Sequence, residues 1–366
     1  MRQAVYKVRI LFATNAKFAS RQANAIQVTK MSRAFAGMGH SVCLTGLGPS
    51  VAPVDGIQVR LLHWPWARFR IDLLKWGLRR QMAGFKPDLV FTRNILLAHV
   101  AAEAGKAVIL ELHGLPVASS YTARTLGHLL THPQLKRVIT ISQGLADDLR
   151  DAYPSGSLDV VVAHDAADAG PSPTPAPVER SLVRVGYFGN LYKGKGMEMI
   201  SALSERLPNL QFDVYGGTEE DISYWTQKTD GRVNLTLHGH IPHDQVAARM
   251  EQADILLAPY AGQVSHSGQG DISRWMSPLK LFEYMAAGRA IVTTDLPVLR
   301  EVVRDQETAC LCPPDDPAAW ATTLQRLASD PVKRRELGQA ARELLEHEYT
   351  WDKRAEKVLA GVQVSG

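Results

Sequence analysis

A cation at the start of a predicted helix is the feature of this sequence that points most directly to chemistry. Residues 277–288 read SPLKLFEYMAAG. Ser277 and Pro278 predict an N-cap and a first helical residue, and Gly288 predicts an end in a left-handed turn. Lys280 then falls in the first turn, where unpaired N–H groups already carry about half a positive charge. A bound phosphate would remove this conflict, because helix N-termini are ready-made anion sites.

Glu283 extends the candidate site along the same helix. It follows Lys280 by one turn on the same face, about 5 Å further along the axis. At that distance its carboxylate suits paired hydroxyls, such as those of a ribose, better than the same phosphate. Phosphate followed by ribose is the order of groups in a nucleoside diphosphate. The alternative is an i,i+3 ion pair on a solvated helix, worth about 0.2–0.5 kcal/mol.

A glycine-rich loop supplies a second candidate cation. Residues 189–196 read GNLYKGKG after a predicted strand, one residue short of the P-loop pattern. Gly196 stands where a P-loop has the hydroxyl that holds Mg²⁺, which argues against a phosphotransferase of that type. Lys195 is still well placed to pair with a phosphate oxygen as a compact point charge. Taken alone, the loop could also be a solvated lysine-rich turn.

Alternating strand and helix patterns must position these residues. Short apolar runs typical of buried strands occur at residues 8–14, 41–45, 88–92, 107–112, 137–141, 158–163, 183–188, 210–215, 233–237, 255–258 and 290–294. Helical segments, such as residues 25–37, separate most of them. This alternation predicts parallel sheets covered on both faces, with ligands beyond the carboxyl ends of the strands. Residues 169–179, AGPSPTPAPVE, predict a linker between two halves.

Length and composition fit a globular protein of two domains. The 366 residues are 45% hydrophobic and 21% charged, enough for a separate core in each half. No run approaches the length of a transmembrane helix, and the N-terminus lacks the apolar stretch of a signal peptide. The three cysteines form neither a disulfide framework nor a zinc spacing, which favours a reducing cytoplasm. Cys310 and Cys312 are interpreted as buried strand residues rather than as a metal pair.

Positive charge is concentrated in the first half of the chain. Residues 1–170 hold 20 Lys and Arg against 11 Asp and Glu, whereas residues 171–366 hold 21 against 26. Such asymmetry suggests an anionic partner for the first half, either a membrane surface or a nucleic acid. Because no nucleic-acid-binding motif is recognised, we expect no nucleic-acid partner.

A basic, tryptophan-rich segment could provide the membrane contact. Residues 63–86 read HWPWARFRIDLLKWGLRRQMAGFK and predict a helix. The expected core stripe is Ile71, Leu74, Leu78 and Met82. A second apolar patch is expected on the opposite side, beside Arg80, from Phe69, Leu73 and Trp76. Such a patch among cations is typical of an interfacial helix on an anionic membrane. The alternative is that Trp76 packs against a neighbouring loop.

Taken together, these residues resemble the family 4 glycosyltransferases, which are retaining enzymes of the GT-B fold. The resemblance covers nearly the whole chain and is most specific in SPLKLFEYMAAGRAIV. Weaker matches occur in order at Leu112-His113, GNLYKGKG, HGHI at 238–241 and ADILLAP at 253–259. The resemblance implies an α/β fold with two Rossmann-like parallel-sheet domains facing a central cleft. The implied parts are an acceptor domain at 1–168, a linker at 169–180, a donor domain at 181–348, and a C-terminal helix at 349–366 that crosses back onto the first domain.

The resemblance also implies roles for individual residues. Lys195 is similar to the family's lysine on the donor diphosphate, and His113 to its histidine near the transferred sugar; these two are the expected catalytic residues. Glu283 resembles the glutamate that binds the donor ribose. The other implied donor contacts are Gly189, Asn190, Ile241, Pro278, Leu279, Lys280 and Leu281. Asn15 and Arg93 are the expected acceptor contacts.

Two positions depart from the family pattern. Asn190 stands where many members have an arginine, so one cation is missing from the diphosphate site. Trp275 stands where many members have a first glutamate that holds the donor sugar, and Asp271 is a candidate replacement. These departures leave the identity of the donor sugar open.

Neither a metal nor a cofactor is expected. No Asp-x-Asp pair follows a strand in the usual metal-binding context. The histidines at 238, 240 and 243 have a spacing that suits a metal, but no carboxylate falls between them in the sequence, and we expect no metal site there.

The implied activity is metal-independent transfer of a hexose-type sugar from a UDP- or GDP-linked donor to a hydroxyl of a saccharide or lipid-linked saccharide. Its expected setting is cell-surface polysaccharide or glycoconjugate biosynthesis, in the cytoplasm and peripherally on the inner face of the membrane. One alternative is a nucleotide-sugar epimerase, which would need catalytic carboxylates in the first domain, where Glu111, Asp165 and Asp168 are the few candidates. Another is a non-catalytic nucleotide-sugar binding protein. Base, sugar, acceptor, linkage and oligomeric state stay open.

Overall fold

In the computed structural model, the chain divides into two units, each built around one parallel sheet. The first unit comprises Met1–Asp165 and Trp351–Gly366, and the second comprises Ala166–Thr350. The C-terminal segment therefore belongs to the first unit, although it follows the second in sequence. The structure describes residues 7–15, 23–48, 56–62, 70–154, 158–173, 182–192, 194–262, 265–266, 269–271 and 273–364.

The strands are short and mostly buried. They are β1 Arg9–Ala13, β2 Ser41–Leu47, β3 Ile57–Leu62, β4 Leu89–Thr92, β5 Ala107–Leu112, β6 Leu135–Thr140, β7 Val160–Val162, β8 Arg184–Phe188, β9 Gln211–Tyr215, β10 Leu235–Gly239, β11 Ile255–Ala258, β12 Ser265–His266, β13 Gln269–Asp271, β14 Ala290–Thr294 and β15 Cys310–Cys312. Near-continuous apolar runs such as AVILEL in β5 are typical of strands covered on both faces.

Helices separate most of these strands. They are α1 Ala23–Gly37, α2 Arg70–Phe85, α3 Ile95–Glu103, α4 Tyr121–Leu130, α5 Gln143–Ala152, α6 Met197–Arg206, α7 Glu219–Lys228, α8 His243–Gln252, α9 Leu279–Ala287, α10 Pro297–Arg300, α11 Pro317–Ser329, α12 Pro331–Glu348 and α13 Trp351–Leu359. Polar side chains at their starts explain several boundaries. Asn94, for example, accepts hydrogen bonds from the amides of Leu96 and Leu97 and begins α3.

The first unit has seven parallel strands in the order β3-β2-β1-β4-β5-β6-β7. Helix α13 is fixed to this unit by Arg137 of β6, whose Nη1 donates to the carbonyls of Val358 and Ala360 at 2.9 and 2.8 Å. These bonds satisfy orphan carbonyls at the end of α13.

The second unit has six parallel strands in the order β10-β9-β8-β11-β14-β15, and β12 pairs with β13 as a separate antiparallel hairpin. The order of both main sheets reverses beside their first strand, between β1 and β4 and between β8 and β11. Open α/β sheets bind ligands beyond the carboxyl ends of the strands at such switch points. The loop 189–196 follows β8, and Pro259 and Tyr260 follow β11, so both lie at the switch point of the second sheet.

The predicted fold class, α/β with two Rossmann-like parallel-sheet domains, is confirmed. Each predicted strand run overlaps an observed strand, and Cys310 and Cys312 lie buried in β15 as predicted. Strand β3 and the hairpin β12–β13 were not predicted. The described part of the predicted linker, residues 169–173, contains neither helix nor strand, and the rest of it lies outside the described residues.

The start of α9 differs from the prediction by one residue. Pro278, not Ser277, occupies the N-cap position, and Leu279 is the first helical residue. The physical reason is that Pro278 has an extended ψ of 114°, so it does not enter the helix. The predicted end is confirmed, because Gly288 has φ 61° and ψ 32° in the left-handed region.

Candidate active site

The first turn of α9 presents backbone amides at the end of the second sheet. The amide of Leu281 donates to the carbonyl of Pro278 at 2.9 Å. This amide is therefore already used within the turn, although Leu281 is among the donor contacts that the resemblance implies. The amides of Leu279 and Lys280, at the first two helical positions, have no intrahelical acceptor. Two amides rather than three are thus available to an anion here.

The Lys280 ammonium lies against aromatic rings. Its Nζ is 3.8 Å from the ring centroid of Tyr187 and 5.4 Å from that of Tyr260, in cation–π geometry. Burial, together with the nearby charge of Lys195, lowers the pKa of Lys280 well below its ordinary value. A Cβ on Gly189 would lie 2.8 Å from this Nζ, so only glycine lets the ammonium approach the loop after β8.

Lys195 lies near the same tyrosine, Tyr260. Its Nζ is 5.7 Å from the ring centroid of Tyr260 and 5.4 Å from that of Tyr192. Burial lowers its pKa as well. The next residue, Gly196, has φ 103°, and a Cβ there would lie 2.3 Å from the carbonyl oxygen of Pro259. This close approach explains the glycine at the position where a P-loop has a hydroxyl.

Among the described residues, no carboxylate neutralises either ammonium group. Throughout the described residues, no carboxylate oxygen lies within 4.0 Å of Lys195 or Lys280. The expected alternative, a Lys280–Glu283 ion pair, is therefore absent. Two half-buried cations without a counter-ion are unfavourable in the free protein and are stabilised by an incoming anion.

Glu283 is half-buried, one turn further along α9. Burial raises the pKa of its carboxyl, against the opposing effects of His243 and Lys280, while Asp168 raises it further. The described residues supply no hydrogen-bond donor to this carboxylate. Its oxygens are thus able to accept hydrogen bonds from a ligand.

Hydrogen bonds hold the loop after β8 in place. The Tyr284 hydroxyl of α9 accepts from the amide of Phe188 at 2.8 Å. The Tyr187 hydroxyl donates to the carbonyl of Asn190 at 2.7 Å. The backbone of Asn190 thus helps to hold this loop, and the implied role of Asn190 as a donor contact stays a prediction. Tyr187 and Tyr260 were not predicted as site residues, since only their position beside the lysines in the folded chain identifies them.

Another aromatic group lies at the ends of β8, β9 and β10. Phe188 stacks on Tyr215 with centroids 4.6 Å apart, and Tyr215 stacks on His238 at 4.2 Å. His238 Nε2 is 2.8 Å from Asp213 Oδ1, a partner carboxylate that the sequence analysis missed because it comes from another strand. Within the described residues, no group of three His, Cys, Asp or Glu side chains is placed to hold a metal ion.

Three further positions were discussed for the donor site: Ile241, Trp275 and Asp271. Ile241 is half-buried and packs against the core of the second unit. Trp275 is also half-buried. The side chain of Asp271, the candidate replacement for the missing glutamate, lies outside the described residues.

A different cluster lies in the first unit, around the end of β5. His113 Nε2 is 2.6 Å from Glu111 Oε1, and Arg354 Nη2 of α13 is 2.9 Å from Glu111 Oε2. Arg93 Nε lies 3.7 Å from the same carboxylate, and Gln27 Nε2 donates to it at 3.1 Å. Glu111 is thus a buried carboxylate surrounded by donors and cations.

This cluster has strongly shifted acid–base properties. Burial alone would raise the pKa of Glu111, but Arg354, His113 and Arg93 together hold it well below its usual value. Burial and the charge of Arg93 lower the pKa of His113 to about 4. Burial raises the pKa of Asp165, which accepts from Gln27 Nε2 at 2.5 Å, to about 6.

The two predicted acceptor residues occupy different environments. Asn15 is exposed after β1, and the Arg93 side chain is largely buried beside Glu111 after β4. Both follow strands at the switch point of the first sheet, where ligands bind in this topology.

The described part of the basic, tryptophan-rich segment is α2. Leu74, Leu78 and Met82 face the core as predicted, whereas Ile71 and Leu73 are half-buried. Trp76 is 51% exposed, with the Arg80 guanidinium 5.5 Å from its ring centroid. The alternative that Trp76 packs into a neighbouring loop is therefore disfavoured.

Residues 63–69, with Phe69, lie outside the described residues. Among the described helices, none has the length and apolar character needed to cross a bilayer.

Comparison with known proteins identifies the class. A family model described as Glycosyltransferase Family 4 matches residues 25–169, and one described as Glycosyl transferase-like matches residues 195–360. The chain therefore belongs to the glycosyltransferases of the GT-B fold, with a first unit of the family 4 type. The predicted glycosyltransferase class is confirmed.

Sequence relatives carry out different named reactions. Glycogen synthase of Mycobacterium tuberculosis is 24% identical over 377 residues, covering 88% of this chain and 86% of that protein. Phosphatidyl-myo-inositol mannosyltransferase of Mycolicibacterium smegmatis is 28% identical over 175 residues, covering 47% of this chain and 42% of that protein.

Solved structures with the same fold include sucrose-phosphate synthase from Thermosynechococcus elongatus, with a TM-score of 0.73 at 18% identity, over 95% of this chain and 96% of that chain. They also include Anabaena HepE in complex with UDP, with a TM-score of 0.73 at 13% identity, over 96% of this chain and 98% of that chain. At such identities the likeness concerns the fold alone.

Proposed function

We propose that this chain is a retaining glycosyltransferase that moves a hexose-type sugar from a UDP- or GDP-linked donor to a hydroxyl of a saccharide or lipid-linked saccharide. The observation that carries the proposal is the pair of ammonium groups, Lys195 and Lys280, beside the free amides of α9 with no described carboxylate within 4.0 Å. A diphosphate supplies the negative charge that this arrangement lacks.

The proposed role of the lysines is to stabilise the leaving group. As the bond between sugar and diphosphate breaks, charge develops on the phosphate oxygens, and preorganised cations and amides lower the energy of that state. Two ammonium groups and a helix N-terminus can do this without a divalent ion, so we propose that the reaction is metal-independent. In the retaining reaction, the acceptor hydroxyl attacks the face from which the diphosphate leaves. A departing phosphate oxygen takes its proton, and no protein base is assigned.

The donor nucleoside is proposed to extend along α9 and towards β10. Glu283 has unused acceptor oxygens one turn beyond Lys280 and is assigned to the ribose hydroxyls. Ile241, in the segment after β10, is assigned to the base pocket. HepE was solved with UDP and with UDP-glucose, which supports a nucleotide-sugar donor.

The acceptor is proposed to bind the first unit, near His113, Asn15 and Arg93. The exposed Trp76 and Arg80 of α2 support peripheral contact with an anionic membrane, and hence a lipid-linked acceptor in glycoconjugate or polysaccharide assembly on the cytoplasmic side. Flotation with anionic liposomes at low salt tests this contact. Retention of the wild type together with loss for Trp76→Ala supports it, and failure of the wild type to bind contradicts it.

A donor panel tests the central proposal. The protein is incubated with UDP- and GDP-linked hexoses and candidate acceptors, with and without EDTA, and release of nucleoside diphosphate is followed. We expect release with at least one donor, unaffected by EDTA, and a product with the anomeric configuration of the donor. Interconversion of the nucleotide sugar without release indicates an epimerase instead. Binding without any turnover across the panel indicates a non-catalytic binding protein.

A further inference from the structure

Glu111 is a buried carboxylate of the first unit with four polar partners among the described residues, and the proposed function does not use it. It is 1% exposed at the end of β5, two residues before His113. Its Oε1 is 2.6 Å from His113 Nε2 and 3.1 Å from Gln27 Nε2, and its Oε2 is 2.9 Å from Arg354 Nη2. A carboxylate buried this deeply requires such partners, because an unpaired buried charge is strongly unfavourable.

We infer that Glu111 is a positioning residue that holds His113 as a neutral hydrogen-bond acceptor for a substrate hydroxyl, and that Arg354 of α13 keeps Glu111 ionised for this task. The inference rests on the proposed function, in which His113 lies near the reacting sugars, and it adds the protonation state, the supporting residues and a role for the C-terminal helix.

The first step concerns which nitrogen of His113 carries the proton. The charged groups facing Glu111 are Arg354 from α13, Arg93 after β4 and Asp165 after β7. The two arginines outweigh Asp165 and keep the Glu111 carboxyl ionised. An ionised carboxylate can only accept hydrogen bonds, so the contact at 2.6 Å requires N–H on Nε2 of His113.

The second step concerns the charge on the ring. Burial and Arg93 lower the pKa of His113 to about 4, so the imidazole is neutral at physiological pH. A neutral ring with its proton on Nε2 has a bare Nδ1, which is an acceptor only. The His113 side chain is 27% exposed, and no residue in the described ranges hydrogen-bonds its Nδ1. Nδ1 can thus accept a hydrogen bond from a substrate hydroxyl. An ionised phosphate oxygen has no proton to donate to it.

The third step concerns α13. Arg354 is 3% exposed, and its Nε and Nη2 donate to the carbonyls of His164 and Ala163 at 2.7 and 3.1 Å. These bonds hold the guanidinium in one orientation against Glu111. The C-terminal helix therefore completes the His113 cluster, in addition to packing against the first unit.

The tautomer can be measured without any variant. Nitrogen-15 NMR of the histidine side chains, with His113 assigned by comparison with His113→Gln, reports which nitrogen is protonated. We expect the Nε2–H form of a neutral ring, with no change between pH 5.5 and 8.5. A proton on Nδ1, or titration near the ordinary value of 6.5, would overturn the inference.

Kinetics test the positioning role. Glu111→Gln should lower kcat about tenfold or more, because the amide no longer fixes the tautomer, while affinity for the nucleoside diphosphate stays within about twofold. The matched control is Glu103→Gln, which removes an exposed carboxylate lying 3.6 Å from His132 and should change neither. Arg354→Lys should retain more kcat than Arg354→Met.

These outcomes separate the inference from the proposed function. Wild-type kcat in folded Glu111→Gln would contradict positioning while leaving the glycosyltransferase proposal intact. If the wild type turns over no donor, the proposed function fails, and the wild-type NMR measurement still decides the state of His113. If Glu111→Gln does not fold, the same NMR measurement and the Arg354→Lys variant carry the test.

Discussion

Buried charge is treated in opposite ways by the two units. In the second unit, Lys195 and Lys280 lie among tyrosine rings, and the described chain offers them no carboxylate within 4.0 Å. In the first unit, the Glu111 carboxylate lies 2.9 Å from Arg354 and 2.6 Å from His113. Both clusters are at the carboxyl ends of strands in sheets of the same topology, so the contrast does not come from the fold.

The difference separates a site suited to binding an anionic ligand from a cluster suited to positioning a side chain. An uncompensated pair of cations is stabilised only when an anion arrives, and therefore favours the ligand-bound state. A cluster in which a buried carboxylate is already paired with a cation is stable without a ligand, so it can fix the orientation of a side chain such as His113. Substitutions in the two clusters should consequently have opposite effects on stability.

The largest effect is expected from breaking the compensated cluster. Arg354→Met leaves the buried charge of Glu111 without its closest cation and should lower the free energy of unfolding by about 3–5 kcal/mol. Denaturant unfolding measures this change. Arg137→Met is the control, since it also loosens α13 but leaves the ion pair at Glu111 in place. Equal losses of stability in the two variants would show that the loss comes from weaker packing of α13 and not from the unpaired charge of Glu111.

The opposite sign is expected in the lysine site. Lys280→Met removes a half-buried cation that lacks a counter-ion, so it should raise the free energy of unfolding by about 0.5–1 kcal/mol. The same change should lower turnover of the nucleotide sugar by about 100- to 1,000-fold, because leaving-group stabilisation is lost. Lys228→Met is the control, because Lys228 Nζ lies 4.7 Å from the Trp225 ring centroid on an exposed helix face. Lower stability in Lys280→Met would argue against an uncompensated cation.

Glu283 tests the part of the lysine site that is assigned to the ribose of the donor. Glu283→Ala should lose two charge-assisted hydrogen bonds to the ribose, about 3 kcal/mol or roughly 100-fold in kcat/KM for the donor. Glu283→Gln, which keeps one acceptor oxygen, should lose less. Glu220→Ala, on the exposed first turn of α7, serves as control and should be neutral. Near-normal kinetics in Glu283→Ala would remove the ribose assignment.

The smallest effect concerns the ring beneath Lys280. Tyr187→Leu removes the cation–π contact at 3.8 Å and should weaken nucleoside diphosphate binding by about 1–2 kcal/mol. Tyr187→Phe keeps the ring and loses only the hydrogen bond to the Asn190 carbonyl, so its affinity should change by less than about 1 kcal/mol. Calorimetric titration with UDP and GDP compares them. Indistinguishable affinities of the two variants would show that the ring does not position Lys280.

Much of the lysine site could be predicted because its signals are local. Strand periodicity located β8 and β14, and Lys280, Glu283 and Gly288 lie within a few residues of one helix start. The predicted N-cap at Ser277 was wrong by one residue, since nothing local reveals the extended ψ of Pro278. Such one-residue uncertainty at helix ends is common.

The partners of these charges could not be predicted, because they meet only in the folded chain. Tyr187 and Tyr260 reach Lys280 from β8 and from the loop after β11. Arg354 reaches Glu111 from the far end of the sequence. The family resemblance identified His113, but the carboxylate and arginine that set its protonation state depend on the tertiary structure.

The most direct measurement is a crystal structure with bound nucleoside diphosphate. We predict that the phosphates lie within hydrogen-bonding distance of Nζ of both Lys195 and Lys280 and of the first amides of α9, with the ribose at Glu283. Phosphates bound elsewhere, with the two ammonium groups pointing into solvent, would contradict the assignment of this site.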